Sequence, residues 1–350
     1  MSTPVADLHC DLLLYLERGY DRTPHDLAAR CSVPQLQAGH VVLQALPIFV
    51  ETEKGSTQRG LAQAEVFKVL ANQHPDDFEH IQSVERLDSN IDNHRIGIVA
   101  AVENASSFAE EEEEFQVALD RLIHFIGKVG RPIYISLTWN TENRFGGGAL
   151  TTVGLKEDGR RLLDFLHNKG IAVDLSHASD ALAYDILDYL QQQNLRVPVL
   201  ASHSNMRRVW NAPRNLPDEL AKEIVARNGR VGFNLVRSFV GDENIPTEQA
   251  LITQLEAALA IVGENHLALG ADFFYEKDLP KDSQRREDGG YFYREFEASD
   301  CYPRLLSLWQ NSLGLSDETV RRLAYQNIHS FLQFLWEENY ASSSAALVQL

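Results

Sequence analysis

The chain has 350 residues, 44% of them hydrophobic, and a formal net charge of −18. That composition supports a large buried core, and an acidic balance with no stripe of Lys and Arg excludes a phosphate-tracking nucleic-acid surface. Three widely separated cysteines, Cys10, Cys31 and Cys301, form neither a disulfide framework nor a Cys-x-x-Cys pair, and no stretch approaches the ~20 apolar residues of a membrane span.

No secretory signal is read, because Asp7 and Asp11 interrupt the short apolar run near the start. Segment 341–350 is too short for a lipid-anchor signal, so a cytoplasmic location is expected. In chain order, apolar β-branched runs predict eight strands, over 5–11, 40–49, 95–103, 132–139, 170–177, 197–203, 230–236 and 266–272. Helical periodicity fills the gaps at 61–72, 115–128, 157–168, 181–192, 218–227 and 248–262, with two more helices near 301–313 and 317–337. Gly130, Gly170, Gly229 and Gly263 stand where helices should stop, while Ser316 with Thr319 and Asp218 with Glu219 suit helix starts.

The near-continuous apolar run over 96–102 implies burial on both faces, as in a parallel sheet. Repeated strand–helix alternation favours one TIM-type (β/α)8 barrel domain over 1–350. An open doubly wound sheet competes, but 12–19 offers no glycine-rich phosphate turn after the first strand. The connection 273–300 after strand eight is unusually long, charged and rich in Tyr and Phe, the mark of a functional or disordered loop.

Barrel enzymes build their sites at the C-terminal ends of the strands. Those ends carry Asp7, His9 and Asp11, then Glu103, Trp139 with Asn140, His177, His203 and Asp272. Strand alternation sets Asp7, His9 and Asp11 on one face, with Leu8 and Cys10 on the other. A His and a carboxylate two residues apart can chelate one metal, and His177 with His203 suggest a second, in a set that suits zinc. Strand four has no lysine to bridge two cations, so Glu103 is the better bridge. Asp7 reads as a supporting residue and Cys10 as core filler. The other nine of the 12 histidines are set aside. His40 and His266 begin strands, and His25, His74, His80, His94, His124, His167 and His329 fall in loops or helices.

Further stretches are Asp174-Leu-Ser-His177, Ala201-Ser-His-Ser-Asn205, Pro213-Arg-Asn-Leu-Pro217, Gly270-Ala-Asp-Phe273 and Asn327-Ile-His-Ser-Phe331. Together with Asp7-Leu-His-Cys-Asp11 and Val102-Glu103-Asn104, they make the chain resemble the membrane (renal) dipeptidase family, zinc peptidases of the amidohydrolase-like barrels. The resemblance implies a metal-dependent dipeptidase with two Zn2+ or similar divalent cations. His9 and Asp11 would hold one ion, His177 and His203 the other, and Glu103 would bridge them. A hydroxide between the ions would attack the peptide bond. Arg214 would hold the substrate's terminal carboxylate, and Asp272 would sit near the bridging water and the substrate's amino end and shuttle the proton.

Two departures bear on substrate. Mammalian members carry a histidine where this chain has Trp139, in Ser136-Leu-Thr-Trp-Asn140, and their Gly-Asp-Phe-Asp-Gly ending is here Asp272-Phe-Phe-Tyr-Glu276. Trp139 and Asn140 are therefore substrate-binding candidates, with Asn143 or Arg144 as other sources of the lost contact. The partner expected is a small dipeptide or amide, not nucleic acid or membrane. Barrels of this kind often pair, which leaves a homodimer open. Two alternatives stand: an amidohydrolase for N-acyl amino acids or another small amide, and a catalytically silent barrel that binds without turnover. The complete ligand set counts against the silent barrel.

Overall fold

The computed structural model describes residues 3–91, 95–279 and 290–338. Nine strands are found among the described residues: β1 (Val5–Asp7), β2 (Val41–Phe49), β3 (Phe78–His80), β4 (Ile96–Glu103), β5 (Tyr134–Ser136), β6 (Ala172–Asp174), β7 (Val199–Leu200), β8 (Val231–Phe233) and β9 (Leu267–Leu269). They pair in parallel in the order β7-β6-β5-β4-β2-β1-β9-β8, with β3 beside β4. The two ends of that path meet, because Ala201 bridges Val231. The Ala201 amide donates to the Arg230 carbonyl at 2.9 Å, and the Gly232 amide to the Ala201 carbonyl at 2.8 Å. Closure makes a barrel rather than an open sheet and leaves the eight staves without an end strand.

Eight strands are the predicted staves. The ninth, β3, was not foreseen. It pairs with the first part of β4, Phe78 opposite Ile96 through His80 opposite Ile98, on the side that β5 reaches only at Val102. Three residues give no readable alternation, and Glu79 looks like surface. It is in fact buried, held by Arg95 and by Arg86 at 2.6 Å.

The stave interior is lined by small and medium side chains, including Ala6, Ala45, Ala101, Ala172 and Ala268, which leave room for Leu8, Leu43 and Tyr134. The C-terminal helical stretch closes the N-terminal mouth with Ile328, Phe331, Leu332 and Leu335. That stretch was predicted as one helix over 317–337. It instead runs as Asp317–Arg321 and Asn327–Gln333 with wider π-type turns at Arg322–Gln326 and Phe334–Glu338. The outer shell packs the staves against Ser56–Gln73, Phe115–Val129, Glu157–Leu166, Asp180–Gln192, Asp218–Ala226 and Thr247–Ile261. Gly232 and Gly270 are required by close approach, since a Cβ on either would meet the Ser202 carbonyl oxygen at 1.9 Å.

Three short helices, Leu12–Glu17, Val33–Ala38 and Val84–Ile91, escaped the periodicity reading because six to eight residues span barely two turns. In the long connection after β9, single turns form at Glu276–Asp278, Arg294–Phe296 and Ser299–Cys301, while 280–289 lie outside the described residues.

Candidate metal centre

β2 and β4 end where their apolar runs do, whereas the other six staves end earlier than their patterns suggest, so that Asp7 and Glu103 close their strands and the remaining site residues stand beyond theirs. β1 stops at Asp7, and Asp11 is the residue before helix Leu12–Glu17. Asp7 accepts from the His9 and Ala271 amides, both at 3.1 Å, and from the Tyr302 hydroxyl at 2.5 Å. It thereby ties β1 to the end of β9 and to helix Tyr302–Leu313. Cys10 is fully buried in the apolar core. At three of the turns the backbone is left-handed at a non-glycine residue: Asn104 (φ 72°), His177 (φ 69°) and Asp272 (φ 65°). Such conformations cost roughly 1–3 kcal/mol each and gather at functional sites.

These turns bring His9, Asp11, Glu103, His177, His203 and Asp272 into one buried cluster. Glu103 lies at its middle. One oxygen is 3.2 Å from His9 Nε2, and the other is 2.7 Å from His177 Nε2 and 3.8 Å from His203 Nε2. His9 Nε2 is also 3.7 Å from Asp11 and 3.7 Å from Asp272. Three overlapping donor groups result, His9–Asp11–Glu103, Glu103–His177–His203 and His9–His203–Asp272, and the first two share the Glu103 carboxylate.

Each histidine is gripped from behind through Nδ1. His9 Nδ1 donates to the Tyr134 hydroxyl oxygen at 2.8 Å, whose own hydrogen goes to the Leu8 carbonyl at 3.0 Å. His203 Nδ1 meets the Ser202 hydroxyl at 2.7 Å, and Ser202 donates to Asp174 at 2.7 Å. His177 Nδ1 meets the Asn140 side-chain oxygen at 2.9 Å. The three Nε2 atoms therefore all turn inward, as ligating imidazoles with outer-shell acceptors do. Tyr134, Ser202 and Asp174 were absent from the sequence-level site. Tyr134 reads as strand filler and Ser202 as a linker between strand and ligand, and nothing in the spacing shows where their hydroxyls point. Asn140 lines the pocket and also contacts His177, a contact the sequence does not reveal.

The electrostatics fit a cation. Burial opposes charge on His9, but Glu103, then Asp272 and Asp11, outweigh it and push the imidazolium up to about 10. Burial would raise Glu103, yet His9 and His177 hold its carboxyl well below the usual range. Burial, with Arg214 next, drives His177 down to about 3, and burial followed by His9 keeps His203 well below its usual value. Burial and Glu103 raise Asp11. The proton on His9 thus offsets a carboxylate excess that a divalent ion would neutralise. His9 Nε2 and Asp11 Oδ1 are buried without a hydrogen-bond partner, and His177 and His203 bring two Nε2 atoms within 2.9 Å. Imidazole and carboxylate donors in this arrangement suit zinc and similar divalent ions.

A cavity of about 140 Å³ opens onto the cluster, walled by Phe49, Trp139, Phe239 and Phe274. Trp139 packs edge-on against Phe49 at 5.2 Å and tilted against His177 at 6.0 Å. Asp272 turns one oxygen to Asn234 at 3.0 Å and the other toward His9. Arg214 is buried over the Phe239 ring at 5.4 Å, and its Nε and Nη2 have no partner. Asn143 instead braces the Leu137 carbonyl and Asn104, and Arg144 pairs with Asp158.

The sequence pattern of the family described as membrane dipeptidase (peptidase family M19) matches residues 1–341. An uncharacterised dipeptidase of Schizosaccharomyces pombe is 24% identical over 304 residues, 79% of this chain and 71% of the relative. Among solved structures, a Rhodobacter sphaeroides metallopeptidase liganded with a phosphinate mimic of L-Ala-D-Ala superposes with a TM-score of 0.78. It is 20% identical, with 96% of this chain and 100% of that chain covered. A Pseudomonas aeruginosa amidohydrolase superposes with a TM-score of 0.75 at 19% identity, covering 96% of this chain and 97% of that one.

Proposed function

Because the chain belongs to the membrane dipeptidase family, we propose that it is a dipeptidase that cleaves the peptide bond of small dipeptides with two zinc-like cations. His9 and Asp11 would hold one ion, His177 and His203 the other, with Glu103 between. The observation that carries this reading is the placement of Glu103, one oxygen toward each histidine group, within the electrostatic reach of a buried arginine whose Nε and Nη2 have no partner. Bound there, the ions would lower the pKa of a shared water toward neutrality and polarise the scissile carbonyl.

The chain's own groups do the rest. Arg214, unpaired in a dry site, gives the terminal carboxylate of a dipeptide a charged hydrogen-bonding partner. Its burial makes that partner specific, because a ligand without an anion would leave the guanidinium unmatched. Asp272 is steadied by Asn234 through one oxygen, so the other is positioned to take a proton at the pocket and pass it to the leaving amine. Trp139 and Phe49 wall the cavity, exclude water and present apolar surface to a substrate side chain.

The same aromatic wall also suits the acyl group of an N-acyl amino acid, which keeps that second reading. The test is metal analysis of the purified chain followed by hydrolysis of a panel of dipeptides of both stereochemistries and of acylated amino acids. Dipeptide turnover with bound divalent metal is expected. Turnover of acylated amino acids alone would replace the reading with the second one. Bound metal with no turnover of any amide would leave a binding protein.

A further inference from the structure

We propose that His25, His74 and Asp77 form a separate surface site for one zinc-like divalent cation, remote from the catalytic cluster. One donor atom from each of the three side chains lies within 4.8 Å of the others. His25 Nε2 is 3.1 Å from Asp77 Oδ2, and His74 Nδ1 is 3.9 Å from the same oxygen. Ligands about 2.0–2.1 Å from a tetrahedral zinc lie about 3.3 Å from one another. The two observed separations bracket that value, so an ion needs only small side-chain rotations.

Both halves of the site are pinned by backbone. His74 follows the helix Ser56–Gln73, and its amide donates to the Leu70 carbonyl at 3.0 Å. The amides of Asp77 and Phe78 return to the His74 carbonyl at 3.1 and 3.0 Å, so His74 and Asp77 share one tight turn. A long helix directs partial negative charge from its C-terminal end, which favours a cation there. His25 sits in a turn that Asp26 clamps, accepting from the Thr23 amide at 2.8 Å, the Thr23 hydroxyl at 2.9 Å and Tyr15 at 3.0 Å. The two imidazoles lie tilted by 52° to each other with centroids 5.7 Å apart.

Asp77 immediately precedes β3, whose first residue pairs with the first residue of β4. The site therefore lies at the N-terminal ends of the staves, whereas the catalytic cluster stands past their C-terminal ends. His25 and His74 are 47% and 30% exposed, so water can complete the coordination. Two imidazoles and a carboxylate select Zn2+, Ni2+ or Co2+ over Ca2+ or Mg2+. An ion here would clip the segment around His25 to the end of a distant helix, restraining a long loop.

The experiment counts metal on the full-length chain by mass spectrometry after equilibrium dialysis against buffered free zinc, with the catalytic ions loaded. The wild-type chain should hold one equivalent more than His25→Ala and than His74→Ala, with kcat/KM unchanged. Added zinc should raise the Tm of the wild type further than that of either variant. His25→Gln gives a milder second variant should alanine disturb the turn. Equal metal counts and equal zinc-induced Tm shifts in all the proteins would overturn the proposal, leaving His25 and Asp77 as a close side-chain contact only.

Discussion

Tyr134→Phe isolates the grip on His9. The side chain is fully buried in the barrel interior, and phenylalanine keeps its ring and nearly its volume. Burial, then Asp174 and Glu103, hold the phenol well above its usual value, so the hydroxyl keeps its proton and donates to Leu8. Removing the oxygen strands two buried groups, the Leu8 carbonyl and the His9 Nδ1–H. An unsatisfied buried group costs about 1–3 kcal/mol, so a loss of about 2 kcal/mol or more in urea denaturation is expected. Loss of an outer-shell partner weakens metal binding by about 10–100-fold, equivalent to about 1.4–2.7 kcal/mol. Chelator competition should show the larger weakening for the ion at His9, because His177 keeps Asn140 behind it and Ser202, although it also contacts the Tyr134 hydroxyl, keeps Asp174 as its partner. Two ions held with wild-type affinity, or two weakened equally, would refute the idea that Tyr134 sets the His9 ring.

Arg214→Met should cut kcat/KM for dipeptides by about 10–150-fold, the value of a charged hydrogen bond, yet leave Tm unchanged or higher because a buried unpaired cation has gone. Dipeptides with an amidated terminus should be indifferent to that change. Trp139→Ala should raise KM about tenfold for dipeptides with aromatic side chains and leave glycylglycine unaffected, which a substrate series would show. Chelation of the purified chain should abolish hydrolysis and lower Tm, with both restored by zinc. His80 tests a group away from the Glu103 cluster. Burial holds its imidazole below the usual 6.5, so it folds neutral. A depressed histidine contributes stability that is fully present above 6.5 and is lost as pH falls from 6.5 toward the folded value. His80→Gln should therefore flatten the decline in urea midpoint between neutral pH and about pH 5.

The eight staves were legible because parallel strands buried on both faces leave continuous apolar runs, and β4, buried at all eight positions, is the clearest of them. The ends of β2 and β4 were legible too, at Phe49 and Glu103, but those of the other six staves were not. Leu8 and Cys10 carry the apolar pattern past Asp7, so the strand seems to continue where the chain has already turned. The left-handed turns at His177 and Asp272 leave no mark in a sequence, since both residue types also occur in strands. Grouping His9, Asp11, Glu103, His177 and His203 needed only their position after apolar strands, and the fold brings these five side chains together. Tyr134, Ser202 and Asp174 needed three-dimensional direction, which strand periodicity gives only as one face or the other.

The cluster is assembled against its own charge. Burial raises Asp11 and, to about 6, Asp272, while two neighbouring histidines are held neutral and a third carries the compensating proton. Three left-handed turns add strain. None of these features lowers the energy of the metal-free fold, so the surrounding structure must hold them. Asp174 does so by accepting from Ser136 at 2.8 Å, from the Ser202 hydroxyl at 2.7 Å and from the Ser202 and Ser176 amides at 2.9 and 3.0 Å. Asp7 does so across β1 and β9. Both carboxylates sit in the barrel wall, where the backbone is least free to relax. A cation entering such a site finds its ligands already placed, and the repulsion it relieves adds to its affinity. Metal occupancy and fold stability are therefore coupled through the same outer residues, which is why a single hydroxyl on Tyr134 should register in both.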